Sequence, residues 1–539
     1  MDTRINPFEL YRSPHLSVSD AEWQAYQTLQ IQPIAAQDIS DTLAAMVAHG
    51  ACNLPEDFVR ALRFGFDREK SPLGRSIYRQ LLENAVAASQ AGRPSCQDTG
   101  QAVVFIDIGQ NVRLIGGNIH DAVQEGIARG YKTLRASIVA DALFNRKNTG
   151  NNTPAILHTR LVPGHSIEIQ VAQKGYGSEN KSFMTMYPYP QGGEEAVEKF
   201  VCEMISKAGA DWCPPGMLSI AVGGNFETAP LMAKRALLEP FDMDIILNQF
   251  ERDPAALSAR DRLRVRLFDA VNRIGIGPQG LGGFTTVLDV KLTTAPTHIA
   301  GLPIAVNVQC SKAHHIASRL DGHGPVTQFA RSEFLPYLAG LETEHNETRR
   351  VTLPFQPEVL ATLRAGERLL LSGTILTGRD AAHKRMIETL DRKEPLPVDL
   401  KGQCIYYVGP VDPRLDEIVG SAGPTTSSRM DPYAPRLFRE QGLAATIGKS
   451  EIGDSVIAAI RETGGIYMIA TGGAGFLQSK TITKVDVLAY ADLGTEAIRR
   501  FEVQDFPVIV AVDSHGGNLH RQGRLAYQTN SGKTNAPGQ

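Results

Sequence analysis

Cysteine is scarce in this chain: six residues in 539, at positions 52, 96, 202, 213, 310 and 404. No two of them form a Cys-x-x-Cys pair, which excludes zinc ribbons, thioredoxin-type redox centres and bacterial ferredoxin runs. Their scatter also excludes the disulfide framework of a small secreted domain, so reduced thiols are expected. An excess of charge of one sign is lacking as well, with 55 basic against 58 acidic side chains and a formal net charge of -3. Binding a phosphate backbone requires a basic footprint, so nucleic acid is not an expected partner. No stretch stays apolar for the roughly eighteen residues of a membrane helix, and the start Met1-Asp2-Thr3-Arg4 opens no apolar signal core. The expectation is a cytoplasmic protein with no membrane association. Internal repeats and low-complexity segments are absent too.

What is present is an ordinary globular composition, 42% hydrophobic, which at this length can bury more than one core. Up to about residue 90 the apolar spacing is helical. In Pro72 to Ala91 the residues Leu73, Ile77, Leu81, Leu82, Ala85 and Val86 share one face, and Ser71 is the start signal. The first strand signal follows Cys96, in the β-branched run Val103 to Ile108 closed by Gly109. Helices such as Glu194 to Ala208 and Asp454 to Arg461 then mix with strands such as Met217 to Val222, Arg368 to Leu371, Cys404 to Val408 and Val508 to Val512. The predicted fold is α/β of mixed α+β character. The charged stretch Leu341 to Arg350 breaks the pattern and predicts a linker. It divides the chain into a larger domain, 1–345, and a smaller one, 346–539.

Two glycine motifs mislead. Gly275-Ile276-Gly277-Pro278-Gln279-Gly280 matches the dinucleotide pattern, but a predicted helix (Arg260 to Ile274) enters it and a predicted strand (Phe284 to Leu292) leaves it. The fingerprint needs the reverse order, so that a helix N-terminus faces the pyrophosphate. A nicotinamide-dependent dehydrogenase is disfavoured on that ground. Gly442 to Ser450 is one residue too long for a phosphate loop. Here Ser450 is expected to cap a following helix and to leave Lys449 at its positive end.

Cys96, Cys213 and Cys310 lie in turn-rich contexts: Cys96-Gln97-Asp98-Thr99-Gly100, Trp212-Cys213-Pro214-Pro215-Gly216 and Gln309-Cys310-Ser311-Lys312. Cys52, Cys202 and Cys404 fall in helical or strand patterns and read as core. Taken singly, any buried cysteine is most simply a packing residue. Three loop thiols would also suit an iron-sulfur cluster with one iron left open as a Lewis acid. At these residues the chain resembles the class I iron-sulfur fumarases, related to two-subunit fumarases and L-tartrate dehydratases. The resemblance runs from about Pro72 to Asn518. Besides the Cys96 segment, its motifs are Gly275 to Gly283, Gly378-Arg379-Asp380-Ala381-Ala382-His383-Lys384-Arg385, Gly423-Pro424-Thr425-Thr426 with Arg429-Met430-Asp431, and Ile447-Gly448-Lys449.

The resemblance implies a 4Fe-4S cluster on Cys96, Cys213 and Cys310, a C-terminal domain of the swivelling type with the active site between the two domains, and a homodimer. It implies a hydro-lyase that hydrates fumarate reversibly to L-malate. L-tartrate and mesaconate are alternative substrates, and a non-catalytic iron-sulfur sensor is an alternative of another class. By similarity Arg135, Arg379, Arg429 and Lys449 clamp the carboxylates of a small dicarboxylic acid, with Gln97 and Gly177 completing the pocket. Guanidinium groups suit that task because they bind carboxylates bidentately. The proton-transfer role falls by similarity to Thr425, with Asp98 close by and His298 assisting. Asp380 and His383 are expected to orient Arg379. The pair His314-His315 is expected to start a helix and to hold no metal. Tyr176 and Asn225 stand where the family usually has smaller or different residues, and both are candidates for the pocket wall.

Overall fold

The helix expected after Ser71 forms over Pro72–Ala91. Ser71 Oγ accepts from Gly74 N at 2.9 Å, and Gly92 ends the helix in the left-handed region at φ 59°. The computed structural model describes residues 31–529 apart from 145, 189–192, 313–314, 342–347 and 415. Most of the expected linker, with the boundary at 345, lies outside the described residues. Its last two residues, Arg349 and Arg350, open the strand Arg349–Thr352.

Two four-stranded sheets build the N-terminal part. One runs in the order His315–Leu320, Ile167–Lys174, Gln101–Gly109, Ile156–Val162. The other runs Phe183–Pro188, Gly301–Gln309, Gly216–Gly224, Val287–Thr297. In the second sheet Met217 pairs with Gln309, so the turn ahead of one strand meets the residue following the other. The C-terminal part is a seven-stranded mixed sheet. Strand Arg368–Thr377 pairs with Cys404–Tyr406 and also with Ile498–Val512, which closes the sheet on itself through Ala445–Gly448 and Ile466–Ile469. Closure leaves free edges only on the two strands with a single partner, Arg349–Thr352 and Ile482–Ala489.

The two parts share packing. One apolar core runs from Leu54 and Phe58 through Trp212 and Leu267 to Leu376, Tyr467 and Val512, so it draws on both sides of the expected boundary. The C-terminal sheet also has a core of its own around Leu371, Tyr406, Ile447 and Phe501.

Three local expectations differ from the structure. A strand, Gln32–Ala35, precedes the first helix among the described residues, Ala36–Cys52, and pairs in parallel with Val112–Ile115. Four residues are too short to show a period of two against a helical background. His315 starts a strand, not a helix, because its neighbours pair with Ile167–Lys174. Ser450 caps nothing: it has φ 68°, its Oγ donates to Ala210 O at 3.2 Å, and the next helix begins at Asp454 after Gly453. The dinucleotide-like loop has the expected order, with helix Ala259–Asn272 before it and strand Val287–Thr297 after it.

Candidate active site

Sheet pairing brings the second and third thiols together. Cys213 precedes Gly216–Gly224 and Cys310 follows the neighbouring Gly301–Gln309, and Ser311 N donates to Cys213 O at 3.2 Å. Cys213 itself takes φ 61°, a left-handed turn that aims its side chain away from the strand. Cys96 arrives separately, between helix Pro72–Ala91 and strand Gln101–Gly109, and its Sγ donates to Gln97 Oε1 at 3.1 Å. Burial pushes the Cys213 thiol up to about 11; Lys449 opposes that, while Cys310 and Cys96 add to it. Burial also raises Cys310, opposed by the Lys312 N–H and the Lys174 ammonium and reinforced by Cys96. The three thiols therefore share one electrostatic neighbourhood. Cys404 differs, since burial alone raises its thiol.

The C-terminal part delivers Lys449 to this neighbourhood. Lys449 Nζ donates to Cys213 Sγ at 2.8 Å. Burial would lower its pKa, but the charges of Cys213, Cys96 and Cys310 outweigh burial and raise it. Lys449 N donates to Thr425 O at 3.2 Å, and Thr425 N donates to Tyr407 O at 2.7 Å, so backbone pairing sets the buried Thr425 beside Lys449. Gln97 ties the halves together here, its Nε2 donating to Pro424 O at 3.1 Å. Gly423 has to be glycine because a Cβ would overlap the Gln97 amide oxygen.

Asp98 lies half-buried in the same cleft. Burial would raise its carboxyl, yet the charges of Lys312, Arg135 and Lys449, with the Gly100 N–H, together hold it below the usual range. Arg379 is nearly enclosed, and its pKa falls to about 10, first through burial and then through the charges of Arg135 and Arg429, against Glu496 and Asp380. Three arginines thus converge. Arg135 donates to Gly409 O at 2.8 Å, and Gly409 also lies against the Arg379 guanidinium. Arg429 forms a bidentate pair with Asp380, at 2.8 and 2.6 Å. Arg379 Nε is buried with no hydrogen-bond partner, a donor left open at the centre of the group. His383 Nδ1 lies 2.9 Å from Arg379 O, which fits the orienting role expected of it.

Gly177 belongs to the same cleft, since a Cβ there would stand 3.3 Å from Lys449 Nζ. His298 does not: it is exposed on the turn after Val287–Thr297, where its Nδ1 accepts from Ala300 N at 3.2 Å. Tyr176 and Asn225 also turn away. The Tyr176 hydroxyl donates to Gln101 Oε1 at 2.8 Å, and Asn225 Oδ1 accepts from Glu227 and Thr228 N–H groups. Sequence reasoning missed three contributors. Lys312 donates to Asp98 O and exerts the largest charge effect on its carboxyl. Gln279, at φ 55°, donates to Pro214 O and accepts from Gly472 N at 2.8 Å. At Gly472 a Cβ would come within 2.9 Å of Cys213 Sγ. Lys312 stands in the quoted Cys310 motif and Gln279 in the quoted Gly275 motif, and both could have been picked out there; Gly472 stands in none of the quoted motifs.

Among the described residues no group of three or more His, Cys, Asp or Glu side chains is gathered tightly enough to hold a single metal ion. No helix among them is long and apolar enough to cross a membrane. A cavity of about 490 Å³ lies elsewhere, lined by Ser71, Leu281, Glu367, Leu519 and Tyr527, and contains none of these groups.

Residues 40–319 match the family model described as fumarate hydratase (Fumerase), and residues 326–523 match the one described as fumarase C-terminus. The aerobic class I fumarate hydratase of Escherichia coli strain K12 is 30% identical over 97% of this chain and 96% of its own length. Fumarate hydratase 1, mitochondrial, of Leishmania major is also 30% identical, over 96% of this chain and 95% of its own. The chain belongs to the class I fumarate hydratase family. It is therefore a hydro-lyase, and the convergence of thiols, arginines and Lys449 is the candidate active site of a class I fumarate hydratase. A putative L(+)-tartrate dehydratase subunit alpha of Methanocaldococcus jannaschii is 33% identical over 50% of this chain and 94% of its own length. The two parts of the chain meet at the cleft, through Gln97 on Pro424 and Lys449 on Cys213.

Proposed function

We propose that the protein hydrates fumarate reversibly to L-malate, with a 4Fe-4S cluster held by Cys96, Cys213 and Cys310. The observation that carries this reading is the convergence of three mutually interacting thiols with a cationic clamp supplied by both parts of the chain. The residues fit the group. A single ion would draw every thiolate to about 2.3 Å from one centre, whereas a cluster spreads its thiolates over separate irons, as thiols from three separate loops suit. Gly472 leaves the Cys213 sulfur unobstructed. When bound, such a cluster supplies a Lewis-acidic iron without a protein ligand, suited to stabilising a departing hydroxide.

In this reading residues 1–345 hold the cluster and residues 346–539 supply most of the clamp. Arg379, with its open Nε, and Arg135 take one carboxylate, and Arg429 takes part by exchanging Asp380 for substrate. Lys449 stays cationic and stabilises the negative charge that grows on a carboxylate as the neighbouring carbon loses its proton. Thr425 receives that proton as its alkoxide, its own hydroxyl proton having first left to solvent. A threonine hydroxyl is a weak base, and the cationic setting of Lys449 and Arg429 is what favours the ionised form. Asp98, held as the anion, orients Lys312 and Arg135 and accepts protons in relay. Gln97 and Gly177 shape the wall. For His298 the proposal rests on its motif alone.

The test is anaerobic reconstitution followed by assay on malate, L-tartrate and citramalate side by side. Malate is expected to yield fumarate, seen as rising ultraviolet absorbance with no added nicotinamide. A loaded protein that turns over none of the three acids sinks the proposal. Preference for L-tartrate would favour the second reading, which the similarity of half of the chain to a putative tartrate dehydratase subunit supports. A cytoplasmic homodimer completes the proposal, with gel filtration as its check.

A further inference from the structure

Lys174, one of the least exposed charged residues, ends the strand Ile167–Lys174 at 2% exposure. Its Nζ donates to Ser178 Oγ and to Val308 O, both at 2.6 Å, and pairs with Glu179 Oε2 at 3.5 Å. These contacts lie on two different arms of the cleft. Val308 is two residues before Cys310. Ser178 follows Gly177, whose Cα faces the Lys449 ammonium, and its Oγ donates back to Gly175 O at 3.1 Å. Glu179 is itself shared with Lys234, and Asn307 Nδ2 reaches both Glu179 at 3.5 Å and Ser182 Oγ at 2.9 Å. The backbone of Lys174 pairs with Gln101, directly after Asp98-Thr99-Gly100. One buried ammonium therefore stands at the junction of the Cys96 loop, the Gly177 turn and the Cys310 arm.

None of the roles proposed for binding or proton transfer uses this group, and burying an ammonium is costly unless its contacts do something for the fold or the site. Its charge is felt where the chemistry is. Its Nζ sits on the carbonyl of Val308, two residues before Cys310, so a buried positive charge stands directly against the Cys310 arm, and burial first of all brings its pKa down to about 8. The reduction potential of an iron-sulfur cluster depends on nearby charge and on hydrogen bonding, and charge acts strongly where water is excluded.

We propose that Lys174 is a positioning residue: its ammonium holds the Cys310 arm and the Gly177 turn in one geometry, and its buried charge raises the reduction potential of the cluster bound there. The inference rests on the cluster reading given under Proposed function. The two roles separate in variants. Lys174→Met and Lys174→Gln remove the charge; Lys174→Arg keeps it; Ser178→Ala removes one contact of the turn and leaves the charge in place.

The experiment is a mediator-dye redox titration of anaerobically reconstituted protein, followed by electron paramagnetic resonance, with KM and kcat measured on the same samples. Wild type and Lys174→Arg are expected to share a midpoint potential. Lys174→Met and Lys174→Gln are expected to shift it to more negative values, and Ser178→Ala to leave it in place while KM rises several-fold. An unchanged potential in both neutral variants, in a background where the wild type carries a cluster and turns over malate, overturns the inference and leaves the proposed function standing. A wild type that carries no cluster overturns both. Should Lys174→Met fail to load, Lys174→Gln, whose amide can still donate to Val308 O, carries the comparison, and failure of both neutral variants with an unshifted Lys174→Arg and Ser178→Ala counts against the electrostatic role.

Discussion

His383 packs edge-on against Tyr407, ring centroids 5.2 Å apart, with its Nε2 buried and without a hydrogen-bond partner. Burial drives its imidazole down to about 4, against the Arg379 carbonyl and the Asp380 and Glu496 charges. The folded state thus holds it neutral well below the pH at which the unfolded chain protonates it. Its share of stability is complete above pH 6.5 and is lost progressively as pH falls toward 4, by up to about 3 kcal/mol. Urea denaturation at pH 7 and pH 4.5 should show that loss, and His383→Gln should have a shallower acid limb. Such residues were only partly legible beforehand. His383 stood inside a family motif and could be named, and so could the three thiols and the four clamp cations. Lys174 could not be ranked, because a lysine in sequence looks solvated until packing removes the water around it.

The helix Pro72–Ala91 shows how one element can be legible at one end and opaque at the other. Its apolar face and its Ser71 cap follow from spacing and residue type. Its inner end does more than the pattern implies: Asn84 Nδ2 donates to both Ser95 O and Gly473 O at 3.0 Å, and its Oδ1 accepts from Leu477 N at 3.0 Å. That one amide joins the segment before Cys96 to the segment after Gly472. Ser71→Ala should cost about 1 kcal/mol of stability and leave cluster loading alone. Asn84→Ala should cost about 1–3 kcal/mol through its unsatisfied partners and also reduce bound iron per chain, measured after equal reconstitution. Strand-borne features were harder to foresee. Lys449 seemed to belong to a helix start because the glycine spacing suggested one, whereas its position comes from a single pairing of Thr426 with Lys449.

Across the whole molecule the two parts are held by more than shared apolar packing. Arg93, three residues before Cys96, pairs with Glu417 of the C-terminal part, their side chains 3% and 15% exposed, and also reaches Asp412 O at 3.4 Å. Ser421 Oγ donates to Pro94 O nearby. Removing one member of a buried pair leaves the other uncompensated, at a cost of about 3–5 kcal/mol. Glu417→Ala should therefore lower the thermal midpoint more than a surface exchange such as Glu358→Ala, as calorimetry would record. The sequence indicated two parts and a break between them; two family models match the chain, over residues 40–319 and 326–523. It could not indicate how far the parts interpenetrate, since contacts between Arg93 and Glu417 or Gln97 and Pro424 leave no periodicity to read.

The Thr426–Lys449 pairing has a consequence for biogenesis. A closed sheet that formed one residue out of step would point the lysine at position 449 to the opposite face, and the sulfur of Cys213 would meet no cation. On the cluster reading proposed above, misfolded copies would then present a damaged docking place for iron and sulfide, so that delivery of the inorganic centre would double as an inspection of how the polypeptide had folded.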